Sequence, residues 1–359
     1  MKTIPTAIRQ KKKNILTSLL ALVLWVGLTT AASAADTDYT DVPDDHWAAE
    51  SIKEATSLGI FQGVSENRFG LGQPISRAEF VTALVRYFGW EAVTPQRSTY
   101  ADVSPDAWYA SAVETARANG AVAASGREFR PEEVVNRADM ASMLLRSLGY
   151  TYLAGAASEY SVPFNDVTVN RGFITLAYDL GLMTGTAERT FDPEAPATRE
   201  QAATLLVRVH AQLSQEAVRL DNTSGWRTIS IAVPMAQEDA EMPITPLEPL
   251  TDLYATLRRM KYNDGDMAQA ALRLTAGGVR TVAGEGIAMS SDVVTPSQVQ
   301  AALALPDAKP YYSEQYESAY CIYSPAEGQK ATLWYQSEKS MAAKLQLAKL
   351  FGVTHYVLE

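Results

Sequence analysis

The sequence predicts a multidomain chain: an all-α bundle of three helix–loop–helix repeats, followed by a small α/β domain. Three observations carry this. Landmarks recur in one order at a period of roughly 60: Asp41-Val42, Asp102-Val103 and Asp166-Val167, then Phe69, Phe129 and Phe191, then Arg77, Arg137 and Arg199. Between the landmarks, apolar residues fall at helical spacing. Beyond residue 213 this pattern gives way to short β-branched runs alternating with helical stretches.

The segment 1–34 reads as an export signal. Lys11-Lys12-Lys13 precede an apolar stretch from Ile15 to Leu28, and Ala32-Ser33-Ala34 follows as a small-x-small cleavage site. That stretch is shorter than the roughly 20 residues a membrane span needs, so a cleaved signal is expected rather than a retained anchor, and no membrane contact after cleavage.

The chain has 359 residues, 47% apolar and 20% charged, which is globular and too long for one ordinary domain. Its net charge is −10, and five of its 31 basic residues, with no acidic ones, lie in the first 35. The remainder is therefore more acidic still and has no overall pull toward nucleic acid. One cysteine, Cys321, excludes intrachain disulfides, and three histidines leave no zinc-ligand set. No cofactor or metal is expected.

Repeat one (39–92) has Trp47, Ile52, Ala55 and Leu58 on one helical face and Gly59 as a stop. Ser76 and Glu79 then form a capping box ahead of Phe80, Val81, Leu84, Val85 and Phe88. Repeat two (98–153) runs Trp108, Val113, Ala116 and Gly120, with Asn136 and Asp139 capping the helix of Met140, Met143, Leu144 and Leu148. Repeat three (160–213) runs Phe173, Ile174, Ala177, Leu180 and Gly181, with Thr198 and Gln201 ahead of Leu205, Leu206 and Val209. A two-helix unit cannot bury its own face, so the three units should share a core.

Asp-Val, Trp, Gly, Phe and (Ser/Thr)-Arg-Ala-Glu, repeated behind a signal segment, resemble the S-layer homology domain. The resemblance implies a pseudo-threefold bundle that binds secondary cell-wall polysaccharide, often pyruvylated, and holds a secreted protein non-covalently at a bacterial cell wall.

The binding chemistry has its own argument. Arg77, Arg137 and Arg199 each open a helix, where a cation opposes the helix dipole at a cost of about 0.3–1 kcal/mol. Such a placement needs a compensating partner. A guanidinium beside free helix amides can fork onto a carboxylate such as a pyruvyl ketal supplies. Pairing of each Arg with a nearby acid, Asp41 or Asp102, is the alternative. Trp47 and Trp108 either stack on a sugar face or belong to the core. Gly63 and Gly185 occupy matching loop positions where a ligand can approach the backbone; Ala124 stands at that position in repeat two. Repeat three lacks a tryptophan and reads Thr-Arg-Glu-Gln. Grouped by repeat, the best candidate groove is the one built on Arg77, and Arg77→Ala is expected to weaken wall binding more than Arg199→Ala; the resemblance also implies grooves between neighbouring units, so that one repeat's residues do not make a complete site.

Residues 214–225 read as a linker and 226–359 as the α/β domain. Thr228–Val233 reads as a strand, Leu247–Met260 as a helix, Val279–Ala283 as a strand and Thr295–Leu305 as a capped helix. Tyr320–Tyr323 and Ala331–Tyr335 form a hairpin, and Glu338–Leu350 is a helix before the strand Tyr356–Leu358. The final strand–helix–strand implies a parallel pair.

Trp334-Tyr335, Ser340, Lys344 and Leu345 resemble the closing segment of family 18 glycoside hydrolases. That family's Asp-x-x-Asp-x-Asp-x-Glu occurs nowhere in this chain. Gln336-Ser337 replaces the acidic pair that commonly follows Trp-Tyr, and Glu359 stands where a tryptophan is expected. A barrel of ~250 residues does not fit in the segment either. Glu238, Asp239, Glu241 and Glu285 are the remaining carboxylates near strand ends, and read as solvated surface. Cys321 reads as a small buried residue, and Tyr311, Tyr312, Tyr316 and Trp334 as core aromatics or a glycan surface. The leading expectation is a non-catalytic surface protein, anchored through its repeats and displaying a C-terminal domain for self-assembly or a partner protein. The alternative is a wall-attached hydrolase.

Overall fold

Each repeat forms two helices in the computed structural model, which describes residues 39–122, 126–231, 247–265, 267, 269–284 and 287–359. The expected signal at 1–34 lies outside these residues. Repeat one contributes α1 (Ala49–Ser57) and α2 (Arg77–Phe88), and repeat two α3 (Ala110–Ala118) and α4 (Arg137–Ser147). Repeat three contributes α6 (Arg171–Asp179) and α7 (Arg199–Leu213). A short helix α5 (Thr151–Ala157) stands between repeats two and three. The capping box at the start of α2 is reciprocal: Glu79 N–H donates to Ser76 Oγ, and Ser76 N–H to Glu79 Oε2. Asn136 caps α4 by accepting from Asp139 N–H at 2.7 Å.

The repeats interlock rather than stack in line. The first helix of each packs on the second helix of another: α3 on α2, α6 on α4 and α1 on α7. The segments entering the second helices exchange backbone hydrogen bonds in a closed ring. Ile75 N–H donates to Ala197 O, Ala197 N–H to Val135 O, and Val135 N–H to Ile75 O, at 2.8–3.0 Å. Ile52, Phe69, Ile75, Phe80, Leu84, Met140, Leu144 and Phe191 are buried in one core that all three repeats share.

The C-terminal region is α/β and holds two sheets. Strands β1 (Val218–Arg219), β2 (Arg227–Ile229), β3 (Ala270–Leu274) and β9 (His355–Leu358) form a parallel sheet in the order β1-β9-β3-β2. Helices α8 (Leu250–Asp264) and α10 (Glu338–Leu350) pack against each other, and their apolar faces join the repeats' core through Leu253, Tyr254, Leu257 and Leu347. Strands β4 (Gly278–Gly284), β5 (Ile287–Val294), β6 (Lys309–Ser313), β7 (Ser318–Tyr323) and β8 (Gln329–Tyr335) form an antiparallel sheet in the order β5-β4-β8-β7-β6. Helix α9 (Pro296–Leu303) covers a small separate core there, built on Val299, Cys321 and Leu333.

Three expectations are corrected. Part of the stretch read as a linker is strand: Val218 and Arg219 pair with His355 and Tyr356. The hairpin β7–β8 forms, but β8 and β9 are not a parallel pair. Both edges of β8 are taken by β4 and β7, so α10 crosses from one sheet to the other, where β9 pairs with β1 and β3. Strands β3, β5 and β6 have no counterpart in the sequence reading.

Candidate functional site

The recurring landmarks meet at three equivalent junctions, and the phenylalanine is the hub of each. Asp41 accepts the N–H groups of Phe69, Gly70 and Leu71, at 2.8, 2.8 and 3.1 Å. Asp102 accepts from Phe129 and Arg130, and Asp166 from Phe191 and Asp192. Burial pushes Asp41 and Asp102 up, but the backbone N–H bonds outweigh it and hold both below the usual carboxylate value; the Phe191 N–H leads the same lowering at Asp166.

The carbonyl of each phenylalanine goes to an arginine of a different repeat. Arg77 Nε donates to Phe129 O at 2.8 Å, Arg137 Nε to Phe191 O at 2.9 Å, and Arg199 Nε to Phe69 O at 3.0 Å. Each guanidinium also lies over that ring, 4.6–5.2 Å from its centroid. This is the partner that an arginine at a helix start requires. The acids that pair with Arg77 and Arg199 are not Asp41 or Asp102, which the loop amides occupy. They are the third residues of facing helices: Asp139 with Arg77 at 3.0 Å and Glu79 with Arg199 at 3.1 Å. Arg137 faces a helix whose third residue is Gln201, and no carboxylate lies within ion-pair distance of it among the described residues. Burial, its largest influence, lowers the pKa of Arg137 and Arg199 from the ordinary arginine value.

One groove of about 150 Å³ gathers residues from all three repeats. Gly63 comes from repeat one, Trp108 from repeat two and Arg199 from repeat three; Glu79, Thr82 and Arg86 of α2 complete its wall. Arg199 NH2 donates to Gln62 O at 2.9 Å, which fixes the loop at Gly63. Trp47 and Arg77 do not line this groove, so the grouping of Trp47, Gly63 and Arg77 by repeat does not hold. The reason is the interlock: an arginine acts on the next repeat, not on its own. Trp47 and Trp108 are not core residues, being 60% and 66% exposed.

Gly63 is required by its own loop. A Cβ there would meet Ser65 O at 2.5 Å and Arg68 O at 2.7 Å, and at Gly185 it would meet Thr190 O at 2.5 Å and Phe164 Cε1 at 2.6 Å. Ala124 lies outside the described residues. Arg137 NH2 donates to Thr184 O, beside Gly185, at 2.7 Å, matching Arg199 and Gln62. Arg86, Arg146 and Arg208 are a set the sequence reading missed. Each follows Arg77, Arg137 or Arg199 by nine residues, and that repeat spacing was the available signal. Arg86 lines the groove, and Arg208 NH1 donates to Leu182 O at 3.2 Å.

A family model for the S-layer homology domain matches residues 38–81, 99–141 and 163–203, the segments that carry these junctions. The chain carries three S-layer homology domains. They place it at a bacterial cell surface, and no helix among the described residues is long and apolar enough to cross a membrane. It is similar to the S-layer protein sap of Bacillus anthracis, 24% identical over 224 residues that make up 62% of this chain and 27% of that protein. It is also similar to an endoglucanase of Bacillus sp. (strain KSM-635), 28% identical over 213 residues, 54% of this chain and 22% of that one. The chain thus spans about a quarter of the length of these curated relatives. Among solved structures, a chitinase from Chromobacterium violaceum matches 37% of this chain and 40% of its own, at 19% identity and a TM-score of 0.31. The spore cortex-lytic enzyme SleL of Bacillus cereus matches 33% and 28%, at 15% identity and a TM-score of 0.28. Both scores lie below those of a shared fold.

In the C-terminal region, Glu238, Asp239, Glu241 and Glu285 lie outside the described residues. Lys344 is fully buried and pairs with Glu248 at 3.6 Å and Gln336 Oε1 at 2.8 Å. Burial pushes this lysine down to about 8, with Glu248 opposing the shift. With Gln336-Ser337 in place of acids, Glu248 supplies the counter-charge from another element, at a positive φ of 47°. Tyr311, Tyr320 and Trp334 run side by side across β6, β7 and β8; Trp334 is buried, Tyr320 half-buried and Tyr311 exposed. Cys321 is buried.

Proposed function

We propose that this protein is held at the cell wall through the clefts between its S-layer homology repeats, which bind secondary cell-wall polysaccharide, and that the repeats are related by pseudo-threefold symmetry. The observation that carries the reading is the groove that takes Gly63, Trp108 and Arg199 from three different repeats. It offers a sugar an exposed indole face and a buried, oriented guanidinium on one wall. A polymer bearing carboxylates, such as pyruvyl ketals, is the matching ligand class.

Cycling the same relation gives the other two clefts. Gly185, Arg137 and Trp47 form the second set, since α1 packs on α7 as α3 packs on α2. The third set is Arg77 with Ala124 and no tryptophan. Defects scattered over repeats two and three in the sequence therefore fall together in one cleft, and Arg77 is the arginine of the weakest one. The wall polymer should bind at the Arg199 and Arg137 clefts. The C-terminal domain, lacking the Asp-x-x-Asp-x-Asp-x-Glu motif, is proposed as a non-catalytic display or assembly module. The test is co-sedimentation of the mature chain with purified cell-wall sacculi, with and without pyruvyl groups. Binding that needs the pyruvyl groups supports the reading, and absence of binding to either removes it.

A further inference from the structure

The two complete clefts are not chemically alike, and resting on the reading just given, we propose that the Arg137 cleft is the acid-selective one, with Gln201 as the residue that sets this selectivity. In the Arg199 cleft the third residue of the facing helix is Glu79. One of its oxygens accepts from Ser76 N–H at 2.8 Å and the other takes Arg199 NH1 at 3.1 Å, so the guanidinium is already neutralised by the protein. In the Arg137 cleft the same position is Gln201. Its Oε1 accepts from Thr198 N–H at 3.2 Å, which leaves the amide NH2 on the side where Glu79 turns an oxygen toward its arginine. By the equivalence of the junctions, the Gln201 amide and the Arg137 guanidinium are then two donors on one wall.

The rest of that wall agrees. Arg137 is 8% exposed, and its side chain donates to the neutral carbonyls of Phe191 and Thr184. The nearest acids are committed elsewhere: Asp166 to the amides of Phe191 and Asp192, and Asp192 to the Thr186 hydroxyl. One turn beyond Gln201, the Thr204 hydroxyl is buried and has no hydrogen-bond partner. Its counterpart Thr82 lines the Arg199 groove but is satisfied by Ala78 O at 2.7 Å. A buried cation without a carboxylate in ion-pair contact and a buried hydroxyl without a partner are both costly in a folded chain. A carboxylate-bearing sugar meets the first of these needs: the carboxylate takes the guanidinium and the Gln201 amide. The Arg199 cleft, with its charge already paired, has the weaker pull on a carboxylate of the same polymer.

The test is a reciprocal pair of variants in the mature chain. Gln201→Glu supplies the missing acid while keeping the helix cap, and Glu79→Gln creates the same deficit in the other cleft. The probe is purified sacculi, native or with carboxylates amidated. Gln201→Glu should bind native sacculi about tenfold more weakly than wild type, and the difference should vanish on amidated sacculi. Glu79→Gln should bind native sacculi more tightly, which keeps the proposal testable if Gln201→Glu does not fold. Wild-type binding that neither variant changes overturns this proposal alone, whereas failure of the wild type to bind any sacculi removes the anchoring function beneath it.

Discussion

Arg199 NH1 lies 3.1 Å from Glu79 Oε1, joining the first residue of one repeat's helix to the third residue of another's across 120 positions of sequence. With Nε on Phe69 O and NH2 on Gln62 O, this side chain ties the end of the bundle back to its beginning. Arg199→Ala should therefore destabilise the fold by about 3 kcal/mol, since several partners lose their donor at a buried site. Arg199→Lys should recover little of this, because an ammonium cannot fork across three acceptors. Denaturant unfolding of the two variants against wild type measures it. A loss below about 1 kcal/mol in both would show that the tie is ornamental.

Gly63→Ala tests whether the loop glycine serves the loop itself. The added methyl meets two backbone oxygens inside 2.8 Å, and neither can swing away as a side chain would. A fall of about 1–3 kcal/mol is expected in the absence of any ligand. An unchanged melting temperature would mean that the glycine is there only for ligand approach.

Acid should loosen the repeats through Asp41, Asp102 and Asp166. All three are lowered below 3.8 in the folded chain. A carboxyl with a depressed folded pKa contributes stability that is complete above its unfolded value and is lost as pH falls through the folded one. Melting temperature should drop as pH falls below about 4, and Asp41→Asn should flatten part of that slope. A slope identical to wild type in the Asn variant would contradict the assignment.

The repeats and the C-terminal domain should unfold together. Asp179 is fully buried at the end of α6 and accepts from Tyr254, Arg258 and Tyr262, all on α8. Removing it as Asp179→Ala leaves the Arg258 guanidinium without its counter-charge and should cost about 3–5 kcal/mol. Calorimetry should show one transition in the wild type. Two well-separated transitions, with Asp179→Ala shifting neither, would show that the modules are only tethered.

The helices of the repeats were legible because their signals are local: Ser76 with Glu79, Asn136 with Asp139, and apolar residues at helical spacing. The role of Arg77, Arg137 and Arg199 as special residues was legible for the same reason, as each stands where a cation is unfavourable. What the sequence hid was which repeat each arginine serves. That depends on the interlock of Ile75, Val135 and Ala197, which a repeat's own residue list does not contain. In the C-terminal region, β8 and β9 looked like a parallel pair because strand–helix–strand order is local, while the sheet each strand joins is decided by long-range pairing with β4 and β3. Strand β3, Ala270–Leu274, is buried on both faces and has no alternation to betray it.

The most direct test of the composite groove is a sacculus-binding isotherm of Trp108→Ala beside wild type and Arg77→Ala. Trp108 is 66% exposed, so its removal should leave the fold intact, and it belongs to a different repeat from Gly63 and Arg199. Loss of a stacking face should weaken binding by about 0.5–1.5 kcal/mol, roughly twofold to thirteenfold, while Arg77→Ala should leave it near wild type. Unchanged binding by Trp108→Ala, or a larger loss in Arg77→Ala, would contradict a site assembled across repeats.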